Sequence, residues 1–228
     1  GASNLGSIIL KNNFFHINNV VFNNLSNPNF FSHTLYGGIN VIDSELEFKN
    51  SKITNSKSED AINVISSTSI FENIELNNIS SDGIDIDFGK FKFQNIKCSQ
   101  INNDCLDISG SNVNGNEIYA ENILDKGLSI GEASIAEIEN IYLYKNKLGI
   151  AVKDGSKVKI NNYNFDSNTY DMAVYTKKKE YKNSSLYIDG IKGFNDEKIF
   201  VGKSNKLIIN GNIYKIKKKN SLINGIFY

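Results

Sequence analysis

Short segments in which apolar and polar residues alternate recur along the chain at a nearly constant spacing. Five of them, residues 61–65, 83–87, 105–109, 127–131 and 149–153, begin 22 residues apart. Another copy at residues 38–42 begins 23 residues before the first of these, and one at 171–175 begins 22 residues after the last. Alternation with a period of two predicts a β-strand that buries one face. Seven copies at one spacing indicate a structural repeat.

A repeat of 22 residues is too short for two parallel strands joined by a crossover helix. It suits one coil of a β-solenoid, in which each turn of the chain adds a short strand to each wall. The Leu-x-x-Leu-x-Leu pattern of leucine-rich repeats is absent. We therefore predict an all-β solenoid whose first wall has an inward column of Ile62, Ile84, Leu106, Leu128, Ile150 and Met172.

Two more walls follow from apolar positions later in each coil. The second is predicted from Ile70, Phe71, Phe91, Phe93, Val113, Ile135, Val158 and Ile160, and the third from Ile74, Leu76, Ile96, Cys98, Ile118, Ala120, Ile141, Leu143, Tyr163 and Phe165. We interpret the aromatic residues of these walls as core. Amide side chains share two registers, which predicts stacked amides at the turns: Asn50, Asn73 and Asn95 in one, and Asn55, Asn78, Gln100 and Asn122 in the other.

We predict one domain with three parts. Residues 1–37 form an N-terminal coil or cap, 38–180 form the regular coils, and 181–228 form irregular coils and a cap with strands near 186–188, 199–201 and 207–209. The ends of a solenoid need covering, which is the reason for expecting caps. The lysine-rich residues 215–219 are expected to be a solvated tail.

Composition excludes several classes of protein. The 25 basic and 25 acidic residues give a formal net charge of zero, which argues against a general nucleic-acid-binding protein. No apolar run approaches the roughly 18 residues of a membrane span. The two cysteines, Cys98 and Cys105, fall on different walls, and we expect free thiols. We interpret His16 and His33 as structural because neither has a catalytic partner in the pattern.

The outward positions of the first wall change sharply from coil to coil. One row reads Asp60, Asp82, Asp104, Lys126, Leu148, Tyr170; the next reads Asn40, Asn63, Asp85, Asp107, Ser129, Ala151, Ala173; and the third reads Ile42, Ile65, Asp87, Ser109, Gly131, Lys153, Tyr175. In-register stacking would place Asp85 beside Asp107 and Asp82 beside Asp104, about 4.8 Å apart. Like charges at that distance repel unless a cation lies between them, and oxygen-rich clusters suit Ca²⁺.

These residues also have plainer interpretations. An Asp before Gly, as in Asp82-Gly83, is common in turns, so the first row could cap turns by accepting backbone N–H groups. Asp85 and Asp107 lie in mid-strand, where the alternatives are a functional site and a solvated face. Glu132 and Asp154, which follow strands, are interpreted as surface residues, with Glu132 also a candidate contact for a ligand.

Four stretches of this wall, residues 80–85, 103–105, 125–131 and 151–153, resemble motifs of the polygalacturonases. The motifs are Asn-Thr-Asp-Gly, Asp-Asp-Cys, Gly-His-Gly-Leu-Ser-Ile-Gly and Arg-Ile-Lys, in the pectin-lyase-like superfamily of right-handed parallel β-helices. Asp82, Asp104 and Lys153 match the family pattern. Asn103, Lys126 and Ala151 replace its general acid, His and Arg, and Asn cannot protonate a leaving oxygen as an inverting hydrolase requires.

A second resemblance extends over residues 38 to 190 and is carried by residues 59–63, 81–88, 103–104, 107–111, 125–132, 149–154 and 178–181. It is to a bacterial β-helix family of the same superfamily without an assigned activity. Both resemblances imply a right-handed parallel β-helix and an extracellular or periplasmic location.

The leading hypothesis is a carbohydrate-active or carbohydrate-binding β-helix for an extended, charged polysaccharide. Catalysis would be of the lyase or epimerase kind, in which a base removes the sugar C5 proton. Lys126 or Lys153 would be that base, with its pKa lowered by burial, and Asp104 would assist. Asp82, Asp85, Asp87, Asp107 and Glu132 would contact substrate, and Asp82, Asp85, Asp104 and Asp107 could hold Ca²⁺ to neutralise its charge.

The rival hypothesis is a non-catalytic binding or structural module attached to other domains of a longer chain. The missing general acid and the scarcity of loop insertions favour it, whereas the carboxylates concentrated in two adjacent coils favour the site.

Overall fold

The computed structural model describes residues 6–27, 35–191 and 193–214. Their structure is almost wholly β, with one 3₁₀ turn at Asp196–Lys198. The strands, numbered in chain order, are β1 Ile8–Lys11, β2 Phe14–Asn18, β3 Val21–Asn23, β4 Gly37–Ile42, β5 Glu45–Thr54, β6 Asp60–Ile65, β7 Thr68–Ile79, β8 Asp82–Asp87, β9 Lys90–Ile101, β10 Leu106–Ser109, β11 Asn112–Ile123, β12 Lys126–Gly131, β13 Ile135–Tyr144, β14 Leu148–Lys153, β15 Lys157–Asp166, β16 Tyr170–Tyr175, β17 Ser185–Ile188, β18 Ile199–Val201, β19 Lys206–Ile209 and β20 Asn212–Ile213.

The strands form two long sheets. Sheet A has the order β1-β4-β6-β8-β10-β12-β14-β16-β18, and sheet B has the order β2-β5-β7-β9-β11-β13-β15-β17-β19-β20, with β3 beside β5. Each regular coil contributes one strand to each sheet, and the neighbours pair in parallel. The predicted β-solenoid with coils of about 22 residues is confirmed.

The inward column of sheet A is confirmed in full. Ile62, Ile84, Leu106, Leu128, Ile150 and Met172 are completely buried and in register. Phenylalanines continue the core behind sheet B, where the Phe48, Phe71 and Phe91 rings meet edge to face at centroid distances of 5.4 and 5.1 Å. Apolar residues therefore fill the interior from coil to coil, as the alternation predicts.

The amide rows lie at bends and turns of the sheet B strands. Asn50 and Asn73 have positive φ angles of 48° and 54°. A residue with this conformation bends the strand, so that the segments before and after it belong to two different walls. Asn73 donates to Asn50 at 2.9 Å, and Asn50 donates to Asn18 at 3.0 Å. Asn78 donates to Asn55 at 2.6 Å in the second row. The predicted stacks of amides are confirmed at these positions.

Two predictions for the second wall are wrong. Ile135 is 52% exposed, because it pairs with Asn112 and Lys157 in an outward row, while Ala136 and Ile138 face the core. Ile70 likewise pairs with outward-facing Lys92 and is not fully buried. In β13 the alternation is displaced by one residue from the predicted register, whereas in β7 Phe71 faces the core as predicted and only its neighbour Ile70 does not, because adjacent residues of a strand point to opposite faces.

The prediction of two free thiols is also wrong. Cys98 and Cys105 form a buried disulfide, with their Cα atoms 5.8 Å apart. The residues do lie on different walls, since Cys98 is in β9 and Cys105 directly precedes β10. Both point inward at the corner where these walls meet, and the distance there is within the reach of a disulfide.

The strands predicted for the C-terminal region extend the two sheets. β17 and β19 add to sheet B and β18 adds to sheet A, all in parallel, before the short β20 pairs antiparallel with β19. His16 lies on an exposed strand with Nδ1 3.2 Å from the Glu47 carboxylate, so it has a structural contact. His33 and residues 215–219 lie outside the described residues. Among the helical segments described, none has the length and apolar character needed to cross a membrane.

Candidate functional site

The outer face is the surface of sheet A that points away from the core, and it carries the three predicted rows. Asp85 pairs in register with Asp107, and Asp60 pairs with Asp82. Asp87 lies beside Ser109 in the third row. The predicted stacking of carboxylates in adjacent coils is therefore present. It arises because the strands are parallel and in register, so each outward side chain has a neighbour about 4.8 Å away in the next coil.

The first row caps the next coil, as the plainer interpretation proposed. Asp82 Oδ1 accepts the backbone N–H of Asp104 at 2.7 Å, and Asp104 Oδ1 accepts the backbone N–H of Lys126 at 3.0 Å. Burial raises the pKa of Asp82 to about 6, and the hydrogen bond from Asp104 opposes this rise. Asp82 and Asp104 therefore each stabilise the backbone of the following coil, whether or not they also contact a ligand.

Lys126 is held by two carboxylates. Its Nζ lies 3.2 and 3.3 Å from the oxygens of Asp104 and also contacts Asp125, whose other oxygen accepts from Lys147 at 3.1 Å. Burial alone would lower the pKa of Lys126, but Asp104 and Asp125 outweigh burial and raise it. The expectation that burial lowers this pKa is wrong, because ion pairing accompanies the burial. Lys126 is a fixed ammonium in this structure.

Asp85 occupies the centre of the acidic coils. Burial, followed by the charges of Asp87, Asp60 and Asp107, raises the pKa of Asp85 from its ordinary 3.8 to about 9. Asn63 Nδ2 donates to Asp85 Oδ2 at 3.1 Å and to Asp60 Oδ2 at 2.8 Å. Asp85 is consequently a neutral carboxylic acid at pH 7 and can donate a hydrogen bond.

Burial and neighbouring carboxylates also raise the pKa values of Asp60 and Asp87, which flank Asp85. Burial, then the charge of Asp82, raises the pKa of Asp60 to about 7, and burial, then the charge of Asp107, raises the pKa of Asp87 to about 6. The outer face therefore loses negative charge between pH 8 and pH 5. Asp60 and Asn63 were not among the predicted site residues, although Asp60 begins the same sequence row as Asp82.

Lys153 reaches back across a neighbouring coil. Its side chain passes over Gly131, where an added Cβ would be 2.8 Å from Lys153 Cε, and its Nζ ends 3.9 Å from Asp107 Oδ1. Within the described residues, this Asp107 oxygen and the Oγ of fully buried Ser129 are without a hydrogen-bond partner. Asp107 and Ser129 are in register on adjacent strands. This pair of polar atoms is the part of the outer face with unused hydrogen-bonding capacity.

Glu132 and Asp154 are both bound by the 176–184 loop, which the sequence did not indicate. Glu132 contacts Lys178 Nζ, and Asp154 Oδ1 accepts the N–H groups of Lys177 and Lys178 at 2.7 Å each. The interpretation of Asp154 as a surface residue is wrong, because its side chain is buried under these contacts. Glu132 therefore lies at the border of the outer face, engaged with the loop.

The rows become apolar in the C-terminal coils. Leu148, Ala151, Ala173 and Tyr175 form a second buried cluster, against which Tyr170 and Phe200 pack. The charged part of the outer face is thus limited to the coils from Asp60 to Lys153. The two alanines in the middle row are the sequence signal for this boundary, since small outward residues next to Tyr175 indicate a covered surface.

The four predicted calcium ligands are engaged differently. Asp104 is paired with Lys126, and Asp82 accepts a backbone amide, whereas Asp107 keeps an oxygen without a hydrogen bond. In the part of the chain that the structure describes, no group of three or more His, Cys, Asp and Glu side chains has the arrangement of a metal site. Calcium binding stays a prediction, in which the unused oxygen of Asp107 and the carboxyl group of its in-register neighbour Asp85 would be ligands.

Comparison with known proteins gives one match. The family described as right-handed β-helix region matches residues 37–186, which is more than half of the chain. No curated protein and no solved structure matches the chain.

Proposed function

The chain belongs to the family of right-handed β-helix regions, and we propose on this basis that its outer face binds an extended, acidic polysaccharide. The observation that carries the proposal is the pair of unpartnered polar atoms, Asp107 Oδ1 and Ser129 Oγ, beside the Lys153 ammonium. Buried polar atoms without partners are uncommon in folded proteins. A ligand hydroxyl, which can donate to Asp107 Oδ1 and accept from Ser129 Oγ, would satisfy both atoms once the Lys153 side chain moves aside, because both atoms are buried in the free protein.

The length of the charged surface supports an extended ligand. From Asp60 to Lys153 the outer face crosses five coils. Four steps of about 4.8 Å give roughly 19 Å, which exceeds the size of a single sugar. The rows run straight along the solenoid, so consecutive sugars of one chain would meet consecutive coils.

The donors on this surface support an acidic ligand. Lys126 and Lys153 supply ammonium groups, and Asp85 supplies the proton of a neutral carboxylic acid. All three donate hydrogen bonds that a uronate carboxylate accepts. Because the pKa values of Asp60, Asp82 and Asp87 are raised, the repulsion of an acidic polymer is smallest at mildly acidic pH.

If the bound polymer reacts, the residues divide into two roles. Lys153 would be the base that takes the C5 proton in a lyase or epimerase reaction, and it would do so as the free amine, a form distinct from the ammonium that binds an anion. Lys126, fixed as an ammonium by Asp104 and Asp125, would neutralise the neighbouring sugar carboxylate. Asp104 would act as a positioning residue for Lys126. This division follows from the raised pKa of Lys126, which makes Lys126 unsuitable as a base near neutral pH.

A non-catalytic binding module is the second candidate. The observation that favours it is the same ion pair, because a lysine fixed in its charged form suits permanent binding of an anion. This candidate shares the surface and the ligand class with the first, and differs only in the absence of turnover.

The test has two parts. Binding of polygalacturonate, alginate and neutral dextran is measured for the wild type, Asp107→Asn and the control Glu137→Gln, which changes an exposed carboxylate of sheet B. We expect acidic polymers to bind, the Asp107 variant to bind at least about tenfold more weakly, and the control to match the wild type. Absorbance of unsaturated products then separates a lyase from a module. Binding of dextran alone, or equal binding by all three proteins, contradicts the proposal.

A further inference from the structure

One turn residue directly follows the sheet A strand in six successive coils, from β4 to β14, and it has a left-handed backbone in each of them. In these six coils the residue has a φ angle between 47° and 59°: Asp43, Ser66, Phe88, Gly110, Glu132 and Asp154. Five of them are polar or glycine, which is usual for this conformation. Phe88 is the exception, and its side chain is 61% exposed.

A phenylalanine is unfavourable at this position for two reasons. A left-handed backbone brings the Cβ of an L-residue close to the following carbonyl oxygen, which disfavours bulky residues. The exposed aromatic ring also leaves apolar surface in water. The neighbouring coils build the same turn from Ser66 and Gly110, so the fold does not require an aromatic residue here. Backbone strain of this kind is concentrated at functional sites.

The ring of Phe88 has a defined place on the next coil. An added Cβ at Gly110 would lie 2.6 Å from Phe88 Cδ1 and 2.8 Å from Cε1, so the ring covers the α-carbon of this glycine. The Phe88 backbone N–H donates to the Ser109 carbonyl at 2.9 Å. Gly110 therefore leaves the space that the ring occupies, and any larger residue there would displace it.

We propose that Phe88 is the stacking surface for one sugar ring of the polysaccharide, at the edge of the outer face. This inference rests on the proposed function. Phe88 directly follows Asp87, so a sugar whose C–H groups pack against the aromatic ring would present its polar groups to the acidic rows. The rigid ring would orient the polymer along the coils at little entropic cost, as aromatic residues do at other binding surfaces.

The experiment compares Phe88→Asn with Phe88→Trp and with Val21→Asn, which replaces another exposed apolar residue in the N-terminal coil. Polygalacturonate affinity is measured for each protein. We expect Phe88→Asn to bind about tenfold more weakly and the Trp and Val21 variants to bind like the wild type. Because asparagine tolerates the left-handed backbone, the melting temperature of Phe88→Asn should equal or exceed that of the wild type. Weakened binding would then not be a folding defect.

A second pair of variants tests whether the position of the Phe88 ring over Gly110 matters for binding. Gly110→Ala should weaken binding when Phe88 is present and should have no further effect on affinity in the Phe88→Asn background. Independent, additive effects of the two changes would overturn the inference. If the wild type binds and Phe88→Asn binds equally well, the inference fails and the proposed function stands. If the wild type binds none of the polymers, both fail.

Discussion

The ammonium of Lys126 lies 3.2 Å from the carboxylate of Asp104, and the two side chains are only 15% and 3% exposed. The pair links two adjacent coils of sheet A. Asp104 accepts both the backbone N–H and the side-chain ammonium of Lys126.

Asp104→Asn should destabilise the protein. The change leaves the Lys126 ammonium largely buried with Asp125 as its remaining carboxylate, and removing one partner of a buried pair is costly. We expect the free energy of unfolding in urea to fall by about 2–3 kcal/mol. Glu75→Gln, which breaks the exposed pair with Lys52, is the control and should change stability by less than about 1 kcal/mol. Equal effects of both changes would show that the Asp104 pair is not buried in solution.

Asp85→Asn should raise the melting temperature at pH 8 and leave it nearly unchanged at pH 4. The pKa of Asp85 is about 9 in the folded protein and close to 3.8 in the unfolded chain. Between these values the unfolded state releases the proton while the folded state keeps it, so stability falls as the pH rises. The neutral asparagine removes this loss. A melting temperature that is lower than that of the wild type at pH 8 would contradict the raised pKa.

The same reasoning predicts the pH dependence of the wild type. Asp60, Asp82 and Asp87 also have raised pKa values, of about 7, 6 and 6, so their contribution is fully present below about pH 4 and is lost as pH rises through these values. Their shared contribution should make thermal unfolding occur at a lower temperature at pH 8 than at pH 5. Scanning calorimetry of the wild type beside a variant in which Asp60, Asp82, Asp85 and Asp87 are all replaced by asparagine isolates this effect, because the variant should lose most of the difference between the two pH values.

Calcium should raise the melting temperature at pH 8 but not at pH 5. Calcium binds carboxylates in competition with protons, and Asp60, Asp82 and Asp87, with pKa values of about 7, 6 and 6, are largely ionised at pH 8 and largely protonated at pH 5. Asp107→Asn removes the negative charge of the carboxylate that carries the unpartnered oxygen and should abolish the response, whereas Glu137→Gln should keep it. If calcium does not change the melting temperature of the wild type at pH 8, the prediction of a calcium site is wrong.

Unfolded protein kept without a reductant should contain no free thiols. The disulfide between Cys98 and Cys105 accounts for both cysteines, so a thiol reagent should count two groups only after reduction. Two thiols before reduction, in protein purified under oxidising conditions, would contradict the pairing.

The sequence predicted the fold well because the strands are defined by local alternation. Leu106 and Leu128 could be placed inside, and Asp85 beside Asp107, from the 22-residue repeat alone. Contacts at the corners were not predictable in this way. The repeat predicts which wall Cys98 and Cys105 lie on, but it does not predict how far apart two residues on different walls are. The disulfide between them was therefore not predicted.

The electrostatics of the site also required the structure. The pKa of Lys126 depends on whether Asp104 and Asp125 contact its side chain, and burial alone gave the wrong direction. The contact between Glu132 and Lys178 joins residues 46 positions apart through a loop that lacks the repeat, so no register could predict it. Ile135 shows the same limit within a strand, because a one-residue displacement reversed its face.

The most direct test of the account is a calorimetric titration of wild type and Lys153→Met with polygalacturonate oligomers at pH 5.5 and pH 8. Methionine keeps an unbranched side chain over Gly131 and removes the ammonium near Asp107. The account predicts that the wild type binds more tightly at pH 5.5, where Asp82 and Asp87 are more protonated, and that Lys153→Met binds weakly at both pH values. No binding, or binding that neither pH nor the loss of Lys153 changes, would contradict it.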